Sequence, residues 1–416
     1  MGTKEIFSTI FNALEISKDF LDGSLSLMGN TVLLRDLKSW RSSAPVGRVE
    51  RLLYFRCMEE KFGALSHSIG VEKGLRSLGV EVVSISLNSP FKLDGVLKSI
   101  RFDYLLRKNL RRVMEYVGDI DLVYQRITPY SLFGVFLAKE LEVPLVSEYH
   151  GSRWISTRLY KGKSIPFEFI SRRIERVNLE SSSLISTVSS VLKRDLISFG
   201  INSEKIIVNR NCVDLDLFNP DVSPLIQKES GKIRIGFSGI FSKWYGLRTL
   251  LRALFSIRRE YHGKVDFLLL GDGPLFDSVK KRVSGMREFL LPGWVDLPEV
   301  PRYLISCDIL VSPNEPIGEL RGSPVKIPEY MALGKAVVAS RTGDIPEIIG
   351  DSGVLFTPGD YVDLRDKISY LIENEEERRK LGKRAWKRVR KNYTWEKYAE
   401  RLMESIKKIG GGSGKE

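Results

Sequence analysis

From residue 51 onward, short apolar runs alternate with longer stretches whose apolar positions recur at helical spacing. "RLLYF", "VEVVSISL", "DLVYQ" and "PLVSEY" predict strands, and "SHSIGVEKGLRSLG" and "YSLFGVFLAKELE" predict the helices between them. The strand runs are apolar throughout, the pattern of parallel sheets covered by helices on both faces. "SLISTV", the helical "SSVLKRDLISFG" and "KIIVNRN" carry the alternation to residue 213. A polar stretch with two prolines then intervenes, and the alternation restarts with "KIRIGFSG", a helix over 247–260, "KVDFLLLGDG", "CDILVSPN", "KAVVAS" and "GVLF". The pattern predicts two α/β domains, 51–213 and 232–393, joined by a connector over 214–231.

The ends read differently. Within the extension 1–50, Ile6, Phe7, Ile10, Phe11 and Leu14 form a helical stripe. Its charges are mixed, Lys4 and Lys18 against Glu5, Glu15 and Asp19, which favours packing on the body over lying on lipid. Residues 410–416 are low-complexity and are expected to be disordered. "EEERRKLGKRAWKRVRKNY" keeps Leu381, Ala385, Trp386 and Val389 at helical spacing, so a solvated helix accounts for its charge better than RNA binding does.

A chain of 416 residues, 43% hydrophobic, can bury two cores of ordinary size. The formal charge of +13 favours anionic partners such as nucleotides, phospholipid headgroups or phosphorylated carriers. No nucleic-acid reading motif is present, so no nucleic-acid partner is expected. Cys57, Cys212 and Cys307 are too scattered for a disulfide framework or a zinc site and point to a reducing compartment. No apolar run approaches the ~20 residues that span a bilayer, and the first residues lack a signal-peptide pattern. The expectation is a cytoplasmic protein, its charge permitting peripheral contact with the inner membrane face.

In open parallel sheets, ligands bind beyond the carboxyl ends of the strands. Gly63, Gly239, Gly271 and Gly273 follow strands there and could let a ligand approach the backbone, although no G-x-G-x-x-G or P-loop pattern is present. "GSPVKIPEYMALGKAVVAS", 322–340, predicts a helix with Ser323 as cap and Pro324 in first position, unless Pro328 delays its start. Lys326 falls in its first turn, where a cation is disfavoured by roughly 0.3–1 kcal/mol. A diphosphate on the amides of Val325, Lys326 and Ile327 would reverse that cost, with Glu329 accepting from a ribose. An exposed Lys326–Glu329 ion pair fits the spacing equally well.

His150 follows a strand end. His67 is expected to cap or pack, and Arg126 and Arg153 are expected to face the cleft and bind an anionic acceptor. Two D-x-D matches, Asp119–Asp121 and Asp214–Asp216, fall before a strand and in the connector, away from the cleft, so no metal is expected.

Six ordered segments resemble the family 4 retaining glycosyltransferases of the GT-B fold: "GALSHSIGVEKGLRSLGVEVV", "SLISTVSSVLKRDLISFGINSEKIIVNRNCVDLDLFNP", "GFSGIFSKWYGLRTLLRAL", "LLLGDGP", "GWVDLPEVPRYLISCDILVSPN" and "GSPVKIPEYMALGKAVVASRTGDIPEIIGDSGVLFTPGD". The resemblance implies two Rossmann-like domains facing a cleft, the nucleotide on the second and the acceptor on the first. It also implies a helix over 394–409 returning to the first domain. His150 is implied to contact the donor sugar. Lys326 and Lys243, with the helix amides, are implied to stabilise the leaving diphosphate while the acceptor attacks from the same face. The donor is then a nucleotide-diphosphate sugar, with no further cofactor. The acceptor is a hydroxyl of a glycan, a lipid phosphate or another molecule.

Departures from the family pattern are Arg321 where a sugar-contacting glutamate is usual, with Glu319 nearby, and Ser242 and Tyr245 where Arg and Lys are common. "NCVD" replaces the commoner "NGVD". These keep open a degenerate scaffold or a nucleotide-sugar epimerase of the same architecture.

Overall fold

The computed structural model describes residues 37, 40–42, 48–56, 63–86, 103–104, 106–315 and 318–410. The N-terminal stripe, Cys57 and the tail after residue 410 lie outside them.

The first sheet comprises β1 (Arg51–Arg56), β2 (Glu81–Ser86), β3 (Leu122–Arg126), β4 (Leu145–Tyr149), β5 (Leu184–Thr187) and β6 (Ile206–Val208), ordered β2-β1-β3-β4-β5-β6. The second comprises β7 (Ile233–Ser238), β8 (Val265–Leu270), β9 (Phe289–Gly293), β10 (Ile309–Ser312), β11 (Ala336–Ser340) and β12 (Val354–Phe356), ordered β12-β11-β10-β7-β8-β9. All the pairings are parallel. Every residue of β3, β4, β8 and β11 is buried, as helices on both faces require. Two Rossmann-like units result, as the alternation predicts.

β9 is not apparent in the sequence because Pro292 interrupts a short apolar run. As the outermost strand of its sheet, β9 tolerates the missing N–H, and its pairing with β8 slips register between Leu268 and Leu270. Helices Arg153–Lys161 and Glu168–Ser181 are also additions. In the latter, Ser171, Asn178 and Ser181 are buried beside Ile170, Ile174 and Val177, which dilutes the apolar stripe.

Strand order reverses between β1 and β3 in one sheet and between β7 and β10 in the other, the positions where crevices open at strand ends. The loops after β5 and β6 meet the loops after β10 and β11: Ser190 donates to Asp344, and Asn211 to Ser323. Helix Trp395–Gly410 packs along helix Gly63–Ser77 of the first unit. A side chain at Gly70 would begin 2.0 Å from the Trp395 ring, and one at Gly74 2.2 Å from its carbonyl oxygen. These two glycines, one turn apart, form the groove that seats the helix.

Candidate functional site

Lys326 opens helix Lys326–Ala332, two residues later than Pro324. Its chain runs back over the end of β7, where a Cβ on Gly239 would stand 2.6 Å from Nζ. Nζ lies over the rings of Phe237 and Tyr245, 4.4 and 5.0 Å from their centroids. It is shielded from solvent and hydrogen-bonds to nothing among the described residues. The exposed ion pair with Glu329 is therefore not what forms. Burial pulls the Lys326 ammonium down to about 8 against the opposing pull of Glu329. Burial likewise pushes the Glu329 carboxyl up to about 7, with Lys326 opposing. Aromatic faces return part of the cost of burying a cation, ~0.5–2 kcal/mol each. Tyr330 fixes the floor by accepting from the Ser238 amide at 2.8 Å.

Several expectations need correction here. Ser323 does not cap: its hydroxyl accepts from the Asn211 amide at 3.2 Å and its carbonyl from Asn211 Nδ2 at 2.5 Å. Val325 occupies the cap position in helical backbone, and the Ile327 amide is spent on the Pro324 carbonyl at 3.3 Å. Gly271 and Gly273 admit the chain itself rather than a ligand. A Cβ on Gly271 would meet the Gly239 carbonyl oxygen at 2.0 Å, and one on Gly273 the Phe241 backbone at 2.8 Å. Lys243 is exposed in the turn Lys243–Tyr245, and it is Tyr245 that reaches Lys326. Gly63 opens helix Gly63–Ser77, and the loop before it lies outside the described residues.

Glu319 and Arg321 are committed to the first domain. Both Glu319 oxygens accept from Arg194 Nη2, at 2.7 and 2.8 Å. Arg321 pairs with Asp195 through its guanidinium and accepts from the Ser189 hydroxyl through its carbonyl. Arg210 adds pairs to Asp344 and Glu347, each at 2.6 Å. Residues expected on the donor thus form a row of links from helix Ser190–Ser198 and the β6 loop to the second domain.

Across the cleft, β4 carries a wholly buried carboxylate, Glu148. Alternation along the strand puts His150 on the same side. Tyr54 donates to Glu148 Oε2 at 2.8 Å, and His67 Nε2 lies 2.6 Å from Oε1, where His150 Nε2 also bonds. Burial alone would raise the Glu148 carboxyl, but the two imidazoles hold it well below the usual carboxylate range. Burial, then nearby Arg126, pull the His150 imidazole down to about 3, so it is neutral at physiological pH. The His67 ring stands edge-on to His150, Trp395 and Tyr398, at 4.8, 5.1 and 5.7 Å.

The donor atoms of His67, Glu148 and His150 lie within 4.8 Å of one another and are of metal-ligand type. Ligands ~2.0–2.2 Å from one tetrahedral zinc stand about 3.3 Å apart. The 2.6 Å between His67 and Glu148 is too short for two ligands of one such ion.

Arg126 is buried at the end of β3 beside this cluster, whereas Arg153 is exposed on the following helix. His67 does more than cap or pack, and Glu148 was missed; the signal for it was a charge inside the apolar run "PLVSEY". The D-x-D matches serve the scaffold: Asp121 accepts from the amides of Glu50 and Arg51, while Asp214 and Asp216 hold Lys73. Cys212 is buried with its thiol pushed up to about 12, which makes it unreactive.

Two parallel-sheet domains meeting at their strand ends define the GT-B class of glycosyltransferases, and comparison with known proteins carries the assignment further. A family model described as "Glycosyltransferase Family 4" matches residues 63–217, and one described as "Glycosyl transferases group 1" matches 232–374. The chain belongs to the family 4 glycosyltransferases and is a transferase enzyme. It is 28% identical to an uncharacterised glycosyltransferase of Methanocaldococcus jannaschii over 302 residues, 71% of this chain and 76% of that one. It is 26% identical to the N-acetyl-alpha-D-glucosaminyl L-malate synthase of Bacillus anthracis, over 79% of this chain and 90% of the relative. Among solved structures, Anabaena HepE in complex with UDP superposes with a TM-score of 0.62 at 19% identity, over 86% of this chain and 100% of that one.

Proposed function

We propose that Lys326 receives the diphosphate of a nucleotide-sugar donor and stabilises it as the glycosidic bond breaks, while His150 orients the sugar and the attacking hydroxyl. The observation that carries this reading is a shielded ammonium with no hydrogen-bond partner among the described residues, aimed at the strand-order reversal where such crevices bind ligands. UDP bound to HepE, a protein of the same fold, supports a nucleoside diphosphate as the ligand. Glu329, one turn along the helix, accepts from the ribose. Arg126 attracts an anionic acceptor, of which a lipid phosphate is the class that suits the basic chain best. The reaction needs no metal and no further cofactor, because Lys326 supplies the countercharge.

Among the described residues no helix is long and apolar enough to cross a membrane. The acceptor-side face suits contact with an anionic bilayer at the cytoplasmic surface. Phe167 and Phe169 are 49% and 67% exposed, with Phe167 held in left-handed backbone at φ 49°. They flank Glu168, whose carboxylate is already paired with Arg158 and Arg172, and Arg173 and Arg176 follow on the exposed side of the helix. Aromatic rings beside exposed arginines, of which Arg176 pairs with Glu180 at 2.6 Å, fit the headgroup level of such a surface.

The test is a melting-shift screen with UDP and GDP, followed by incubation of the matching nucleotide sugars with and without an alcohol acceptor. The expected result is stabilisation by one diphosphate and acceptor-dependent release of it. Stabilisation by neither would remove the donor site, and conversion of the sugar without acceptor would favour an epimerase.

A further inference from the structure

Glu148 is a buried charge to which the transfer chemistry assigns no task. The hydrogen-bond roles around it follow from one fixed amide. Asn211 Nδ2 donates to the Ser323 carbonyl at 2.5 Å, so Asn211 Oδ1, 2.7 Å from His67 Nδ1, is an acceptor. His67 Nδ1 must therefore donate. Its Nε2 faces the Glu148 carboxylate at 2.6 Å and makes no hydrogen bond among the described residues. His150 has one proton to place; it goes on Nε2, toward Glu148, and the Nδ1 lone pair remains for a ligand.

From these roles we propose that Glu148 and His67 are positioning residues that lock His150 as a hydrogen-bond acceptor at Nδ1. Through Asn211 they also couple this orientation to the Ser323–Lys326 turn of the second domain. Asn211 follows β6 of the first domain and Ser323 precedes Lys326, so the relay is complete only while the domains are together. The identity of the hydroxyl that meets Nδ1 rests on the transferase reading, but the relay is a property of the free protein.

The chain has three histidines, His67, His150 and His262, so full-length protein labelled with 15N at histidine gives an assignable long-range 1H–15N spectrum. The expected pattern at pH 7.5 is His150 in the Nε2–H form and His67 with a proton on Nδ1. Glu148→Gln is expected to leave His150 as a mixture of tautomers. With UDP-glucose as probe, kcat for UDP release is expected to fall at least tenfold, while KM changes less than threefold. Asn211→Ala, which keeps Glu148, is expected to shift the His67 Nδ1 resonance and raise KM several-fold. If Glu148→Gln fails to fold, Glu148→Asp carries the test, with partial tautomer mixing expected.

A pure Nε2–H tautomer of His150 in a folded Glu148 variant would overturn the proposal. So would one equivalent of zinc that the variant loses. The spectra decide the relay whether or not UDP-glucose turns over, so its failure and that of the transferase reading are separate results.

Discussion

Replacing Lys326 with Met should move stability and nucleotide affinity in opposite directions. The ammonium sits at about 8 instead of 10.5, and at ~1.4 kcal/mol per unit the folded protein gives up at most about 3 kcal/mol at pH 7 to keep it charged. Methionine keeps the stem over Phe237 and Tyr245 and removes that penalty, so ligand-free K326M should melt a few degrees higher. A charge-assisted bond worth ~1.5–3 kcal/mol disappears with the nitrogen, which weakens UDP binding about 10- to 150-fold.

Protonation supplies an independent readout. At pH 8 about half of the free wild-type molecules carry a neutral Lys326, and a bound diphosphate restores the charge. Calorimetry in two buffers of different ionisation enthalpy should find about half a proton taken up per UDP at pH 8. Glu329, at about 7, is nearly all ionised at pH 8 and adds little there. The same linkage fixes the pH dependence of the free protein. Between 8 and 10.5 the unfolded lysine binds more protons than the folded one, so this residue's contribution to stability grows as pH rises. Unchanged affinity and proton uptake in K326M, or a lower melting temperature, would refute the reasoning.

Gly271→Ala should be among the costliest single-methyl changes, because its backbone is left-handed and the new carbon would meet the Gly239 carbonyl at 2.0 Å; a loss of roughly 3 kcal/mol or more, read by chemical denaturation, is expected, and a loss under 1 would contradict the packing. The pair Arg194→Ala and Asp195→Ala removes two interdomain links, the first of them exposed and screened by solvent. Little change in melting but a larger radius of gyration by X-ray scattering is expected, and identical scattering would show that these pairs do not hold the domains. Phe169→Asp should lower co-sedimentation with phosphatidylglycerol vesicles and leave UDP binding intact; unchanged sedimentation would exclude this face as the contact.

Most of the scaffold was legible because burial on both faces of a parallel sheet leaves continuous apolar runs. The helix over 247–260 appears with the same limits as Leu247–Glu260. The site was legible only in part. Lys326 stood out because its position opposes the helix dipole, a local rule that one residue can break visibly. The partners of Glu319 and Arg321 could not be read, since Arg194 and Asp195 lie more than 120 residues earlier and nothing local distinguishes a donor contact from a domain link. Ser323 misled for a similar reason: its sequence suits a helix cap, but Asn211, which arrives from the other domain, offers its hydroxyl a donor. Glu148 was hidden by the strand signal itself, because "PLVSEY" scores as a strand whether its acid is paired or not.

The groove cut by Gly70 and Gly74 has a consequence for biogenesis. The helix that fills it, led by Trp395, leaves the ribosome only after the whole second domain has been made. Until then the nascent first domain carries an open slot beside His67, with Tyr124 lacking the Tyr398 hydroxyl it meets at 3.0 Å. Completion of the first domain therefore waits for the second, and a protein cut in the linker should need the Trp395 helix supplied in trans, as a split-protein fragment, to become compact.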